Sequence, residues 1–422
     1  MKLLGPRGIR GSYPILLDSA RLHPKTGKTS FFASAPVFTY RSKKSRIELV
    51  QRGRGDCVAL ESTRLFQGNP LQILRQIWKD PSALALPEDW TAAMGYFGYD
   101  LKDSLESLPD LAKDDLGLPD ILLHFYDGMV PWDPVEEETR SLRPTPSEIH
   151  LRPLLSHEAF CAMVACAQES IARGDIYQAN LSQRFDADFH GDPLEFYAAL
   201  RAINPSPFMA YVDCGDFQLV SASPERLVRV RGREVETRPI AGTRPRGTDA
   251  LDDERLRQEL LLSSKERAEH IMLVDLERND LGRVCESGSV QVDEMMVLEP
   301  YSHVTHIVSN VTGRLRPQVD WVDVLAAVFP GGTITGCPKV RCMEIIESLE
   351  PVKRGPYSGS IGYILRNGDM DLNIAIRTAI VKNQRAYIQV GAGIVADSNP
   401  EQEYQETLHK GQALFEALRR VG

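Results

Sequence analysis

The sequence has no long apolar run, little cysteine and no excess of positive charge. No stretch of its 422 residues approaches the ~18 uncharged apolar residues that a membrane span needs, so we expect no transmembrane helix. The formal net charge of −9 argues against nucleic acid as the main partner, although a local basic pocket can still bind a small dianion. The opening residues, MKLLGPRGIRGSYP, lack the apolar core of a secretory signal, so we expect none.

The cysteines are few and scattered. The seven cysteines form no CxxC pair and no Cys/His set with zinc spacing. We therefore expect reduced thiols, mostly in the core, in a cytoplasmic protein. Hydrophobic residues make up 42% of the chain and charged residues 25%, which is typical of a soluble globular enzyme.

The order of the apolar segments predicts an α+β protein with large antiparallel sheets, because strands come in runs and do not alternate steadily with helices. Strand patterns cover residues 177–185, 208–214, 217–223, 226–232, 302–313, 358–365, 372–381 and 386–395. We expect one intertwined domain over residues 1–422. Its parts are an N-terminal half (1–130), an exposed crossing rich in proline and acid (131–155), and a catalytic region (156–422).

Three helices have clear sequence signals. In the first, apolar residues recur with a period near 3.6 after a Ser156 cap, and Gly174 can end it. A charged helix is expected over residues 252–272. In the last, Asn399 suits the N-cap position and Pro400 suits the first helical position.

Residues 237–247 read TRPIAGTRPRG, with three arginines, two prolines, two glycines and no acid. Proline removes a backbone donor and restricts the chain, so this composition excludes a helix interior and a regular central strand. The stretch predicts a turn bent around something anionic.

Two pairs of glutamates offer a cation site. Glu266 and Glu269 stand at i, i+3, as do Glu403 and Glu406, and Lys410 follows Glu403 at i+7. This spacing puts each pair on one helix face. If both pairs face one cleft, their repulsion requires a divalent cation, and oxygen ligands suit Mg²⁺. The alternative is two solvated helix faces with local ion pairs.

Two glycine-rich stretches, PGGTITGCPK (330–339) and VGAGIVADS (390–398), would let backbone N–H groups approach an anion, or are ordinary turns. Neither ends as a Walker loop does.

Three polar residues interrupt apolar patterns. Arg377 lies inside a strand pattern and needs a carboxylate, from a ligand or from a salt bridge. His306 is either a satisfied core histidine or a catalyst. Glu225 follows a proline at a strand end, so it is either a surface acid or a general acid whose pKa is raised by burial.

Together these segments resemble the chorismate-utilising enzymes: anthranilate synthase large subunit, aminodeoxychorismate synthase component I, isochorismate synthase and salicylate synthase. The resemblance is close over residues 155–418. The motifs that carry it are SASPERL, RPIAGTRPRG, KERAEHIMLVDLERNDLGRV, YSHVTHIVS, FPGGTITGCPKVRCMEIIESLEP, GPYSGSIGY, IAIRT, GAGIVADS and EYQETLHK. It implies a large two-layered α/β sandwich of antiparallel sheets around a central cleft.

The resemblance also implies roles at a chorismate site. Glu269 and Glu403 match Mg²⁺ ligands, with Glu266 and Glu406 supporting them, and the metal holds the ring carboxylate of chorismate. Glu225 matches the acid that helps the C4 hydroxyl leave.

The remaining matched residues contact the substrate. His306 and Thr333 match positions near the ring. The rest of the substrate-binding set is Ala241, Gly242 and Thr243 beside the ring, and Tyr357, Arg377, Gly391, Ala392, Gly393 and Lys410 around the enolpyruvyl carboxylate.

Gln178 helps to identify the nucleophile that attacks chorismate. Isochorismate and salicylate synthases use water and carry a basic lysine in this strand, so the resemblance disfavours both and favours ammonia. The chain has no cysteine in a Gly-x-Cys-x-Gly elbow, so ammonia would come from a separate glutamine amidotransferase subunit.

Two ammonia-using relatives remain open. Ala241 is typical of anthranilate synthases, which aminate C2 and release pyruvate, whereas many aminodeoxychorismate synthases carry a nucleophilic lysine there. The segment YQANLSQRF, Gly331 and the short N-terminal half favour aminodeoxychorismate synthase component I, which aminates C4 for p-aminobenzoate and folate biosynthesis and feeds a separate aminodeoxychorismate lyase. We expect aminodeoxychorismate synthase activity, with anthranilate synthase as the alternative. A non-catalytic chorismate-binding homologue is the third interpretation.

The stretch PILLDSA (14–20) resembles the segment that lines the tryptophan pocket of anthranilate synthases, with Asp18 in place of glutamate. We expect a nearby pocket in the N-terminal half that is either regulatory or holds a structural tryptophan. The alternative is an ordinary strand end.

Overall fold

The computed structural model describes residues 11–20, 29–51, 61–132, 149–300 and 304–422. These residues form 22 strands in two antiparallel sheets, together with eight α-helices. The chain is therefore α+β, as the sequence predicts. None of the described helices combines the length and the apolarity that a membrane crossing requires.

Sheet A contains ten strands. They are β1 (Ile15–Asp18), β2 (Ser30–Ala33), β8 (Val130–Trp132), β9 (Arg152–Pro153), β10 (Gln178–Asp188), β11 (Phe208–Asp213), β12 (Gln218–Ser223), β18 (Gly336–Cys337), β21 (Thr378–Lys382) and β22 (Arg385–Ile394). Their order is β18–β10–β22–β21–β12–β11–β1–β2–β8, and β9 pairs with β10.

Sheet B contains twelve strands. They are β3 (Phe38–Lys43), β4 (Arg46–Gln51), β5 (Ser62–Gln67), β6 (Ala92–Phe97), β7 (Ile121–Tyr126), β13 (Arg226–Arg231), β14 (Glu234–Arg238), β15 (Ile240–Pro245), β16 (Gln291–Pro300), β17 (Val304–Arg314), β19 (Ser360–Leu365) and β20 (Met370–Asn373). Their order is β15–β17–β14–β13–β20–β19–β6–β7–β3–β4–β5, and β16 pairs with β17. Both sheets therefore combine strands from the N-terminal half with strands from the catalytic region.

Helices cover the outer faces of the two sheets. They are α1 (Pro70–Lys79), α2 (His157–Ala172), α3 (Pro193–Ile203), α4 (Ala250–Leu262), α5 (Ser264–Gly282), α6 (Trp321–Val328), α7 (Lys339–Leu349) and α8 (Pro400–Val421). One apolar cluster joins sheet B to α1, α5 and α6, and another joins sheet A to α3 and α8. Between the sheets, residues such as Tyr96 and Val212 meet in a third cluster. Burial of these faces is the main favourable term in folding.

The predicted caps of two helices are confirmed. The Ser156 side chain accepts a hydrogen bond from the Ala159 N–H at 3.2 Å, and Gly174 follows α2 at a φ of +78°. The Asn399 side chain accepts from the Gln402 N–H at 3.1 Å, and α8 begins at Pro400. Each cap satisfies a backbone donor that the helix leaves unpaired.

The single charged helix expected over residues 252–272 is wrong, because the chain forms two helices there. Ser263 has an extended backbone and separates α4 from α5. Its side chain accepts from the Glu266 N–H at 3.3 Å, so it caps α5. The break places Glu266 in the first turn of α5, where the helix dipole favours an acid.

The predicted turn at residues 237–247 is also wrong. The stretch forms the end of β14 and all of β15, and both strands pair with β17. Pro239 separates them, and a bulge between Ala241 and Thr243 places Gly242 at a φ of +65°. A proline between strands and a glycine at a bulge let this composition remain in a sheet.

The three arginines of this stretch pair with acids of the chain itself. Arg238 lies 2.5 Å from Glu299, and Arg246 lies 2.7 Å from Asp253. The third, Arg244, lies 3.1 Å from Glu266. The arginines therefore brace the local structure through ion pairs within the chain.

Arg377 does not lie inside a strand, contrary to the prediction. β20 ends at Asn373 in sheet B, and β21 begins at Thr378 in sheet A, so the apolar run 372–381 crosses between the sheets. Arg377 stands at the crossing with a φ of +50°, and its carbonyl accepts from the Ala222 N–H at 3.0 Å.

Some predictions fall outside the described residues. These are the absence of a signal at residues 1–10, most of the crossing at 131–155, and Cys57. The six described cysteines are free, as predicted.

Candidate active site

Several of the predicted site residues lie where α5 and α8 approach the paired strands β10 and β22. The Gln178 Nε2 atom of β10 donates to Glu269 Oε1 of α5 at 3.0 Å. The Lys410 Nζ atom of α8 donates to the Gly391 carbonyl of β22 at 3.1 Å. The two carboxylate-bearing helices are thus both tied to one strand pair in sheet A.

Glu225 is a buried acid between β12 and β13, and only 5% of its surface is exposed. Its Oε1 atom accepts from the Ile240 N–H at 3.3 Å. Burial raises the pKa of Glu225 to about 7, against the opposing influence of Thr333, the Ile240 amide, Arg377 and Lys410. A large share of the carboxyl groups is therefore protonated at neutral pH, as a general acid requires.

His306 lies on β17, and only 4% of its surface is exposed. Burial, followed by the charge of Arg377, lowers its pKa to about 3, so the ring is neutral at pH 7. Nδ1 lies 3.2 Å from the Gly242 carbonyl and 2.9 Å from the Thr243 hydroxyl. Because a carbonyl oxygen only accepts, Nδ1 carries the hydrogen and Nε2 carries the lone pair.

The first glutamate pair lies on α5. Burial raises the pKa of Glu269, and the charge of Glu266 raises it further, while the hydrogen bond from Gln178 lowers it. Glu266 Oε1 accepts from Arg244 Nη1 at 3.1 Å. Glu269 is therefore a carboxylate with one neutral donor and an acidic neighbour.

The second pair lies on α8. Glu403 is buried and accepts from the Ser398 hydroxyl at 2.7 Å. Burial raises the pKa of Glu403, and Glu406 contributes in the same direction. Glu406 is half exposed and lies 2.7 Å from Lys410.

These residues fit a divalent cation, although they do not close around one. Among the described residues, no three of the four carboxylates bring one oxygen each within 4.8 Å of one another. The set offers only oxygen ligands. Glu403 is buried and Glu269 is partly buried, and each has an acidic neighbour and a raised pKa. Mg²⁺ suits such a set because it binds through one or two carboxylates and retains waters.

The glycines of β22 make room for polar side chains. A Cβ atom at Gly391 would lie 2.6 Å from the Tyr357 hydroxyl, and one at Gly393 would lie 2.6 Å from Gln178 Nε2. Only glycine permits these approaches. Ala392, between them, packs with Phe160 in the core cluster under α2, so its side chain does not reach the site.

The bulge of β15 forms another wall. Ala241 is buried and pairs with Ile307 of β17, whereas Thr243 is exposed. A Cβ atom at Gly242 would lie 3.0 Å from Glu266 Oε2, so this wall lies against the first glutamate pair.

A family model described as chorismate binding enzyme matches residues 35–416. The chain belongs to the chorismate binding enzyme family. Anthranilate synthase component 1 of Acetivibrio thermocellus is 40% identical over 452 residues, which cover 96% of this chain and 90% of that protein. Aminodeoxychorismate synthase component 1 of Bacillus subtilis is 40% identical over 441 residues, which cover 96% and 91%. The crystal structure of anthranilate synthase component I from Streptococcus pneumoniae has a TM-score of 0.78 and 36% identity, and 93% of each chain is covered.

This chorismate binding enzyme is therefore of the anthranilate and aminodeoxychorismate synthase type. The resemblance inferred from the motifs and the α+β fold are both confirmed. In the described structure Glu225, His306, Arg377 and Lys410 lie within electrostatic reach of one another, since the two cations lower the pKa of both other groups.

Two residues that support the site of this chorismate binding enzyme are not predicted from the sequence. Ser398 fixes Glu403, and a serine just before a helix cap was its only signal. Glu277 of α5 is buried, and its pKa is raised by burial, by Asp280 and by the charge of Glu225. Its spacing of i+11 from Glu266 places both on one helix face, a usable signal.

Proposed function

We propose that the chain is component I of an aminodeoxychorismate synthase. It would convert chorismate and ammonia to 4-amino-4-deoxychorismate with Mg²⁺, for p-aminobenzoate and folate biosynthesis. The observation that carries the proposal is a buried Glu225, whose pKa is raised to about 7, within electrostatic reach of Arg377 and Lys410. A dianionic substrate needs such cations, and a departing hydroxyl needs such an acid.

In this proposal the cleft residues first hold the substrate. Arg377, Lys410 and Tyr357 bind the enolpyruvyl carboxylate, and Gly391 lets the Tyr357 hydroxyl approach β22 closely. Mg²⁺, held by Glu269 and Glu403 with support from Glu266 and Glu406, would supply positive charge for the ring carboxylate.

Glu225 then gives its proton to the C4 hydroxyl, which leaves as water when the C4–O bond breaks. Ammonia forms the new C–N bond at C4, and the proton that it loses returns to Glu225. His306 remains neutral and orients groups near the ring through its Nε2 lone pair. Ala241 supplies no amine, so ammonia or water occupies the space over C2.

Ammonia would come from a separate glutamine amidotransferase subunit, and an aminodeoxychorismate lyase would consume the product. The component 1 name of the Bacillus subtilis relative supports this arrangement. Gly331 also supports the choice of branch. A Cβ atom there would lie 3.0 Å from Ile374 and 3.2 Å from Leu227, so the alanine typical of anthranilate synthases would be crowded.

Anthranilate synthase component I is the second candidate, because Ala241 leaves C2 open to ammonia. An assay of the product separates the two. We expect the purified chain, given chorismate, Mg²⁺ and ammonium, to form 4-amino-4-deoxychorismate, which added lyase converts to p-aminobenzoate. Supplying ammonium directly bypasses the amidotransferase, and chromatography resolves the products.

Fluorescent anthranilate with equimolar pyruvate would instead establish the second candidate. Failure to consume chorismate, with Mg²⁺ and ammonium present and the fold intact, would support a non-catalytic chorismate-binding homologue.

A cavity of about 130 Å³ lies beside Asp18, where the sequence predicts a tryptophan pocket. Apolar side chains such as Phe31 and Met209 share its lining with polar ones such as Asn373. The Asp18 carboxylate accepts from Tyr197 and Arg201 at 2.7 and 2.6 Å, so it shapes the wall. We propose L-tryptophan as the occupant.

Titration calorimetry should detect binding of L-tryptophan to the purified chain, because the cavity offers both apolar and polar walls. D-tryptophan, which misplaces the amino group, is the control and should bind more weakly. Absence of heat with the L-isomer would leave Asp18 as an ordinary strand end.

A further inference from the structure

A second cluster of ligand-type side chains lies outside the chorismate site, where the first turns of α2 and α8 meet. Its members are His157 and Cys161 of α2 and Glu401 of α8, and one ligand atom from each lies within 4.8 Å of the others. His157 Nε2 is 3.6 Å from Cys161 Sγ and 2.6 Å from Glu401 Oε2. We propose that this cluster binds a divalent transition metal of the zinc class, with water as the fourth ligand.

The spacing suits tetrahedral zinc. With Zn–N at about 2.1 Å and Zn–S at about 2.3 Å, tetrahedral nitrogen and sulfur ligands stand about 3.6 Å apart. His157 and Cys161 already have this separation. The Glu401 oxygen has to retreat by about 0.8 Å to reach a zinc-bound position. It is free to do so because its side chain is 56% exposed.

The surroundings of the ligands orient them as metal sites require. Nδ1 of His157 lies 3.9 Å from Glu158, beyond hydrogen-bond distance, and Nε2 is the nitrogen that faces Cys161 and Glu401. The Tyr404 ring packs edge-on against the imidazole at 4.7 Å. Gln405 Nε2 donates to Glu401 Oε1 at 3.0 Å and leaves the other carboxylate oxygen for the metal.

The charges also balance. Two helix N-termini disfavour a cation, but a thiolate and a carboxylate neutralise a divalent ion and are themselves favoured there. The sequence does not indicate this site, because Glu401 is far along the chain from the two ligands on α2.

Cobalt provides a direct test, because a Cys–Co²⁺ bond produces a thiolate-to-metal charge-transfer band in the near ultraviolet. We expect the full chain to show this band with Co²⁺ and to lose it when Zn²⁺ is added. Cys161→Ser should remove the band and weaken Zn²⁺ binding by about tenfold or more. Cys166→Ser is the matched control, since Cys166 is an exposed thiol of the same helix and lies outside the cluster.

Melting curves supply a second measurement. Zn²⁺ should raise the melting temperature of the unmodified chain and of Cys166→Ser, because a ligand that binds only the folded state stabilises it. The rise should be lost in Cys161→Ser and in Glu401→Gln, both of which should melt cooperatively without metal. No cobalt band in the unmodified chain, or an equal band in Cys161→Ser, would overturn the proposal and leave a histidine–carboxylate ion pair.

Discussion

Glu225→Gln is expected to lower kcat for chorismate amination by about 10²–10⁴-fold, the usual contribution of a positioned general acid. Glutamine keeps the size of the side chain and still accepts a hydrogen bond from the Ile240 N–H, but it has no acidic proton to give. Steady-state kinetics at constant free ammonia should show the loss in kcat, with little change in KM.

The pH profile tests the same residue. The pKa of Glu225 is raised to about 7, so the acid form exists below that pH and kcat should fall as the pH rises through it. This limb should be absent in Glu225→Gln. His306, with a pKa near 3, is neutral throughout and should add no limb of its own.

In the parent, stability should fall with rising pH as activity does, but Glu225→Gln should not lower it. A carboxyl whose pKa is raised by folding destabilises the fold once it ionises, so its contribution to stability is lost as the pH rises through about 7. Glu225→Gln should therefore melt no lower than the parent at alkaline pH, and any gain should shrink under acid conditions. Glu234→Gln, at an exposed position, is the control and should change neither the activity nor the melting temperature. An active Glu225→Gln variant with an unchanged pH limb would exclude Glu225 as the acid.

Local signals predicted local structure well. The Ser156 cap, Gly174 and the Asn399–Pro400 pair each act through backbone groups within a few residues, so the ends of α2 and the start of α8 were readable from the sequence. The glutamate pairs were readable for the same reason, since i, i+3 spacing fixes a helix face.

Features that depend on distant chain segments were not readable. The run 372–381 is apolar on both sides of Arg377, and nothing in it indicates that β20 and β21 join different sheets. Likewise, β15 is a strand because it pairs with β17, although it contains a glycine and a proline. Tertiary pairing overrides local β propensity in such cases.

The site shows the same difference between local features and features that depend on the folded chain. Motifs predicted a set of candidate site residues, but not how each is held. Gln178 was noted for the base that it replaces, whereas in the structure it donates to Glu269, across 91 residues of sequence. The contacts of Arg244 with Glu266 and of Ser398 with Glu403 likewise required the folded chain.

Glu269→Gln is expected to reduce Mg²⁺-dependent turnover by about 10²–10⁴-fold, because metal stabilisation of developing charge is worth several kcal/mol. Calorimetry should show weaker Mg²⁺ binding in the same variant, which provides a readout independent of catalysis. Glutamine removes the negative charge but keeps an oxygen for the Gln178 donor, so the contact between β10 and α5 should survive.

Asp275→Asn, an exposed change on the same helix, is the matched control and should keep both Mg²⁺-dependent turnover and Mg²⁺ binding. Glu406→Gln should have a smaller effect than Glu269→Gln, since Glu406 is half exposed and already lies beside Lys410. Replacing Glu269 should also relieve its repulsion with Glu266, so the metal-free variant should melt at or above the temperature of the parent. Full turnover with weakened Mg²⁺ binding would separate the metal from catalysis, whereas loss of both at an unchanged or higher melting temperature assigns the defect to the missing ligand.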